Sequence, residues 1–319
     1  MIEFMLADFY FSISITAPIF CILGLGILFK RIGWITEEFA RIGSALVFKV
    51  TLPCLLFVKL VQTDFRHGLP LLLVGYAVAA IVILFLLLDR FIAPRLRVVS
   101  DRGVFVQGAY RGNMGIIGLA FCLSAFGESV VTTASVYLAV ITTLYNVLAV
   151  ITLTRHQEGE GRSASLMPLL IGIGKNPLIL AICAGVLVSL SGIRVSGILL
   201  KTGGYFAQMT LPLALLCAGA SIRLREFQAS PPLYAATCGK LLLLPLLITL
   251  GGIGLGLRGE ELGVLYLMSS SPTAAASYPM AQALKGNHHL AAAIIATTTL
   301  GSILSTTVGV FLLRSFGLI

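Results

Sequence analysis

Long uncharged apolar stretches, separated by short polar turns, dominate the 319-residue chain and leave little amphipathic alternation. Ten stretches can be marked: 7–29, 39–62, 68–90, 102–126, 130–154, 166–191, 197–221, 231–256, 261–285 and 288–313. Each holds about twenty or more mostly uncharged residues, and at ~1.5 Å per residue that crosses a ~30 Å hydrocarbon layer. All ten are expected to be helices, because a backbone in lipid must satisfy its polar groups within its own segment. The first stretch has no basic region before it and no small-residue cleavage site after it, so it reads as a span rather than a removable signal.

The pattern repeats. Thr51-Leu52-Pro53 returns as Thr210-Leu211-Pro212, 159 residues later, and the same offset carries Gly33 to Gly192, Lys49 to Gln208, Asn113 to Pro272 and Asn146 to Ser305. The most polar connection, Arg155 to Ser165, falls between the fifth and sixth stretches. The expected organisation is therefore a first five-helix repeat at 1–154, a cytoplasmic linker at 155–165 and a second repeat at 166–319. Five is odd, so the second copy enters the membrane inverted relative to the first. The predicted class is an all-α membrane protein of ten transmembrane helices, built as two inverted five-helix repeats. Two hydrophobic halves of this kind are the arrangement from which alternating-access carriers are built.

Stretches four and nine, at matching places, look broken. One contains Tyr110-Arg111-Gly112-Asn113-Met114-Gly115 and the other Ser269-Ser270-Ser271-Pro272-Thr273-Ala274. Glycine costs about 1 kcal/mol and proline about 3 kcal/mol in a helix interior, and proline also removes a donor. Asn113 and Ser271 are residue types that cap a following half-helix. Paired interruptions of this sort point to a midplane site between the halves. The plainer alternative is that Gly112 and Gly115 permit close packing and Pro272 only kinks its helix.

Composition sharpens this picture. With 58% hydrophobic and 11% charged residues the chain is no soluble domain, for which about 25% charge is usual. The net charge of +9 reads as membrane topology, not nucleic-acid binding. Lys30, Arg31, Arg41, Arg95, Arg97, Arg102, Arg155, Arg162, Arg223, Arg225 and Lys285 flank one side, against Arg66, Arg194, Lys201, Arg258 and Arg314 on the other. The richer side is expected in the cytoplasm, with both termini outside a bacterial inner membrane. The six cysteines, all within apolar stretches, are expected to be free buried thiols.

The candidate substrate-binding residues are Asn113, Gly112, Met114, Gly115, Lys49, Pro272, Thr273, Gln208, Asn146 and Ser305. Lys49, deep in the second stretch and four residues before Pro53, is either a counter-charge for an anion or a lysine whose amine reaches the interface. Lys59, Lys201 and Lys240 are expected to snorkel from span ends. Arg111 is either structural or lines an entrance. Pro53 and Pro212 are either kinks or points of flexing. Thr142, Thr143, Asn146, Thr298, Ser302 and Ser305 either line a cavity or bond between helices. His288 and His289 are expected in a solvated turn, and no metal site is expected. None of the thirteen carboxylates sits clearly at a span centre, which leaves tight proton coupling without an evident carrier. No nucleophile–base pair is visible, so no enzyme is expected, and no cofactor.

Leu52-Pro53-Cys54-Leu55-Leu56-Phe57, Arg111-Gly112-Asn113-Met114-Gly115-Ile116-Ile117-Gly118-Leu119, Asn176-Pro177-Leu178-Ile179, and Leu211-Pro212-Leu213-Ala214-Leu215-Leu216 with Gly219-Ala220-Ser221 together resemble the auxin efflux carrier family. That family includes bacterial permeases and plant PIN-type exporters, and is more distantly related to bile-acid sodium symporters. The resemblance implies ten helices in two inverted repeats, a scaffold and a transport domain, and a crossover of spans four and nine beside the substrate. It makes Asn113 the crossover asparagine, Pro272 the second crossover proline and Lys49 the lysine before the span-two proline. The chain departs from the plant exporters at Gly112, where they have proline, and by having no acidic residue at 70–88. It is closer to bacterial relatives associated with small carboxylates such as malate or malonate.

The expected function is secondary transport of a small organic anion (a carboxylate, or an auxin-like acid) by alternating access of the elevator type. The alternatives are a sodium-coupled organic-anion symporter and, from another class, a membrane sensor or receptor without transport. The expected partners are the anion and the lipid bilayer, with a homodimer as candidate assembly and no nucleic acid.

Overall fold

The computed structural model describes residues 2–62, 70–156, 177–193, 195–222 and 229–319. Most of the expected linker, the first part of the sixth stretch, and Asp64, Arg66, Arg162, Asn176, Arg194, Arg223 and Arg225 lie outside the described residues.

Among the described residues the regular structure is helical apart from one isolated bridge. In chain order the helices are α1 (Ile2–Arg31), α2 (Glu37–Val61), α3 (Leu71–Arg95), α4 (Val99–Tyr110), α5 (114–126) and α6 (Val131–Arg155). They continue with α7 (Pro177–Ser191), α8 (Gly197–Ala220), α9 (Pro231–Gly254), α10 (Gly259–Ser270), α11 (Ser277–Ala283) and α12 (His288–Ser315). Among the described residues six helical stretches are long and apolar enough to cross a membrane. They are Leu6–Arg31, α2, α3, the run Met114–Arg155, α9 and α12.

Local chemistry explains several boundaries. Thr36 accepts a hydrogen bond from the Phe39 amide at 3.1 Å and Asn287 one from Leu290 at 3.1 Å, so α2 and α12 start on side-chain caps. Glu37 and Glu38 then occupy the electropositive first turn of α2. Three π turns, Val47–Thr51, Leu88–Ile92 and Gly239–Leu243, each end two residues before a proline (Pro53, Pro94 and Pro245). A proline cannot donate into the helical ladder, and the ladder widens ahead of it. Pro53 is thus part of a local π irregularity. Its counterpart Pro212 lies inside α8 without one.

The helices form two packed groups. In the first, α8 lies against α1 and α2, and α7 against α2. In the second, α4 packs on α6, α9 and α12, α3 on α6, and α10 on α5 and α9. α1 also runs along α12 and joins the groups. The first group has two glycine seams. A Cβ on Gly26 would land on the carbonyl oxygen of Leu216, and one on Gly185 would lie 3.3 Å from the carbonyl oxygen of Phe57. Gly26 and Gly185 are 159 positions apart, and so are Phe57 and Leu216, so the two seams repeat one contact at the offset read from the sequence. Small residues let helix backbones approach this closely.

Two expectations need correction. The cysteines are free, but only Cys122 and Cys217 are buried, whereas Cys21, Cys183 and Cys238 are exposed and Cys54 is half-buried. An apolar span faces lipid as readily as core, so a thiol in it need not point inward. Lys240 does not snorkel: it is 0% exposed, on the π turn in the middle of α9. Lys59 and Lys201 do sit nearer helix ends, Lys59 pairing with Glu128 at 2.6 Å and Lys201 exposed.

Candidate functional site

The fourth and ninth stretches are both interrupted, and the interruptions meet. α4 stops at Tyr110, after which Arg111 is extended (φ −81°, ψ 111°) and Asn113 turns (φ −81°, ψ 60°) into α5. α10 stops at Ser270 with Ser271 extended (φ −56°, ψ 140°), and α11 begins only at Ser277. Between them Gly112 and Thr273 form an antiparallel bridge. The Asn113 amide donates to the Pro272 carbonyl at 2.7 Å, and the Ala274 amide donates to the Arg111 carbonyl at 3.1 Å. Each broken segment thus supplies the partners that the other lost on leaving the helix, which a backbone buried away from water requires. Thr273 completes the joint. Its amide donates to Thr298 Oγ1 at 3.0 Å, and its hydroxyl donates to the Gly108 carbonyl at 2.7 Å.

Glycine is needed at 112 because the strands cross closely. A Cβ there would sit 2.6 Å from Ser271 Oγ and 3.3 Å from Lys240 Nζ. The capping expectation fails in detail. Asn113 precedes α5 without a side-chain cap. Ser271 bonds back to the Met268 carbonyl at 2.7 Å and so closes α10 instead of opening α11. The extended stretch through Thr273 takes up the residues that a direct restart would have used.

Two basic side chains are buried at the crossing. Arg111, 5% exposed, donates to Asn146 Oδ1 at 2.7 Å and contacts the Met280 sulfur at 2.6 Å. Lys240 Nζ donates to the Ser269 carbonyl at 2.7 Å. Among the described residues neither forms a salt bridge. A guanidinium stays charged in any protein environment, so the crossing is a centre of positive potential.

A cavity of about 720 Å³ reaches Asn113 from one end of the molecule. One wall comes from the first helical group: Ala40 and Ser44 of α2, and Ala218, Ala220, Ser221 and Ile222 at the end of α8. The other comes from the second group: Asn113, Ile117, Ala275, Tyr278, Pro279, Ala292, Ile295 and Thr299. Lys30, Glu37, Glu38 and Arg41 ring the mouth, where Lys30 pairs with Glu37 at 3.1 Å and Arg41 with Glu38 at 3.6 Å. The site is therefore a cleft between two packed units that ends on the backbone crossing.

A family described as membrane transport protein matches residues 11–310 of the chain. The chain belongs to this membrane transport family, of the auxin efflux carrier type. It is a transport protein and not an enzyme. It is similar to the uncharacterized transporter YfdV of Escherichia coli K12, 24% identical over 311 residues that cover 95% of this chain and 98% of that one. The same figures hold for YfdV of E. coli O157:H7 and of Shigella flexneri.

Within this transport protein the residues singled out from sequence separate into groups. Gly112, Asn113, Pro272 and Thr273 are at the crossing, and of these Asn113 lines the cavity. Met114 is buried in the first turn of α5 and Gly115 follows it, half-buried. Asn146 meets the crossing through Arg111. Ser305, on α12, offers its carbonyl to the Tyr266 hydroxyl at 3.0 Å. Lys49 and Gln208 are exposed and do not line the cavity. The threonines bond largely within helices: Thr143 to the Ala139 carbonyl at 2.8 Å and Thr298 to that of Ile294 at 2.6 Å.

The sequence reading missed Lys240, Ser44, Ser221, Tyr278 and Thr299. It also missed that Asp89, although near the end of α3, is 1% exposed. Asp89 accepts from Thr152 at 2.6 Å, lies 3.1 Å from His156 and pairs with Arg155. The run of small residues Gly219-Ala220-Ser221 at a span end was the available signal for the α8 wall.

Proposed function

We propose that this protein is a secondary carrier for a small organic anion, a carboxylate of malate or malonate size, working by alternating access. The observation that carries the reading is the backbone crossing of two interrupted helices at the closed end of a cleft between two helical groups, with a buried guanidinium that no carboxylate among the described residues partners. A carboxylate at Asn113 would meet the amide dipole of that side chain, the N-terminal end of α5 and the field of Arg111, all favourable to negative charge.

In this reading the chain spans an inner membrane ten times as two inverted five-helix repeats, with both termini outside. The matching offset of the crossing residues and of the glycine seams supports the duplication. The cleft opens on the side that carries Lys30, Arg31, Arg95, Arg155 and Lys285, which charge bias assigns to the cytoplasm. The second helical group is the moving unit and the first is the frame, so an elevator displacement of the crossing past α2 and α8 would expose Asn113 to the other side.

The test is flux and binding in proteoliposomes across a panel of mono- and dicarboxylates. A carboxylate that raises the melting temperature of the purified protein and is carried by the wild type supports the proposal. Wild-type flux from the Asn113→Ala, Pro272→Ala double variant, or no carboxylate carried at all, removes it.

A further inference from the structure

Lys240 poses a separate question. It is the one lysine among the described residues that is fully buried, and it sits on a π turn in the middle of an otherwise apolar helix. Burying an ammonium in a membrane interior is expensive, and such groups are retained where they do something. Its partner is not a carboxylate but the carbonyl of Ser269, in the last turn of α10.

The last carbonyls of a helix have no partner within it and carry the negative end of its dipole. In carriers built from interrupted helices, these carbonyl ends are where coupling cations are coordinated. The two interrupted helices here deal with that end differently. At the end of α4 the Gly108 and Arg111 carbonyls accept from neutral donors, the Thr273 hydroxyl and the Ala274 amide. At the end of α10 the Leu267 and Met268 carbonyls accept from the Ser270 and Ser271 hydroxyls, but the Ser269 carbonyl accepts from an amine. Ile81, the residue 159 positions before Lys240, is fully buried and apolar, so only one of the two ends receives such a group. α9 packs within the second helical group, against α4, α10 and α12, so the amine travels with the crossing.

We propose that the Lys240 side chain is a tethered cation, occupying the carbonyl end of α10 where a carrier of this architecture would otherwise bind a coupling metal ion, so that anion transport runs without sodium. The idea rests on the transport reading above, and a binding measurement separates the two. The purified full-length protein is melted in detergent at constant ionic strength in sodium, lithium, potassium or N-methylglucamine. The wild type is expected to melt at one temperature in all four. Lys240→Gln and Lys240→Ala are expected to melt lower in N-methylglucamine and to recover part of the loss in sodium or lithium, as the vacated carbonyls accept a small ion. Wild-type protein stabilised by sodium over N-methylglucamine overturns the proposal, and so do neutral variants that melt alike in every cation. If the neutral variants do not fold, the wild-type comparison decides by itself: indifference to the cation supports the proposal and sodium stabilisation overturns it. In proteoliposomes, equal carboxylate flux in sodium and in N-methylglucamine is expected, and a sodium requirement overturns the inference. A preparation that carries no anion in either medium counts against the transport reading and leaves the melting result to judge Lys240.

Discussion

Asn146 Oδ1 accepts a hydrogen bond from the Arg111 guanidinium at 2.7 Å, and among the described residues no carboxylate joins them. A neutral amide thus holds a buried cation in place without cancelling its charge. Asn146→Asp should therefore have opposed effects. An ion pair in place of a neutral acceptor raises the melting temperature, while the neutralised field lowers carboxylate affinity. Thermal melts and binding isotherms on the same preparation check both signs; a variant that binds carboxylate better would contradict the electrostatic account.

Asn146→Ala removes the acceptor and leaves the guanidinium under-partnered, at a cost of about 1–3 kcal/mol. Arg111→Lys should not rescue function, because an ammonium cannot reproduce the planar fork that reaches both Asn146 and Met280. Carboxylate flux for Arg111→Lys and Arg111→Gln, compared with wild type, measures this.

At the crossing, Gly112→Ala and Gly115→Ala form a matched pair. The Cβ at 112 would meet Ser271 Oγ at 2.6 Å, whereas at 115 the nearest neighbour is Leu52 at an ordinary 3.6 Å. Overpacking of a tight core costs about 1–3 kcal/mol, so Gly112→Ala should melt well below wild type. Gly115→Ala should stay close to it. Equal melting temperatures for the two variants would contradict the close approach.

Asp89→Asn tests the cluster at the end of α3. Removing one partner of a buried pair costs about 3–5 kcal/mol, and the partial exposure of Arg155 (40%) places the loss toward the lower figure. Thr152→Val, which removes one hydrogen bond to the same carboxylate, should cost about 1–3 kcal/mol. The order of the two melting temperatures is the check.

Access can be mapped with cysteines introduced at Ser44, Ser221 and Thr299 in a background with the six native thiols replaced. A membrane-impermeant thiol reagent should label all three from one side of the membrane only, and a transported carboxylate should slow labelling at Thr299. Labelling from both sides at equal rates would show that the cleft is not closed at Asn113.

Much of the fold was legible because glycine and proline punctuate an apolar chain strongly. The breaks at Gly112-Asn113 and Ser271-Pro272 and their 159-residue offset could be read from the chain, and the structure pairs Asn113 with Pro272 at that very separation. Helix rotation was not legible. In a soluble helix the polar face reveals which side is core, but here lipid and core are both apolar, so depth along the span alone made Lys49 a site candidate and Lys240 a snorkelling lysine. The chain exposes the first and buries the second. The same ambiguity hid the burial of Asp89 and the outward aim of Cys21 and Cys238. The cleft was harder still, since its walls come from residues far apart in sequence, such as Ser44, Ser221 and Thr299, that only the packing of the two groups brings together.

The joint between the halves is made of main-chain atoms, with Asn113 bonded to Pro272 and Ala274 to Arg111. Peptide groups are common to every residue type, so substitutions around this knot can retune what the pocket admits without undoing the knot itself. At 24% identity over 311 residues most side chains differ between this chain and its relative, and bonds between main-chain atoms are the kind that ask least of side-chain identity.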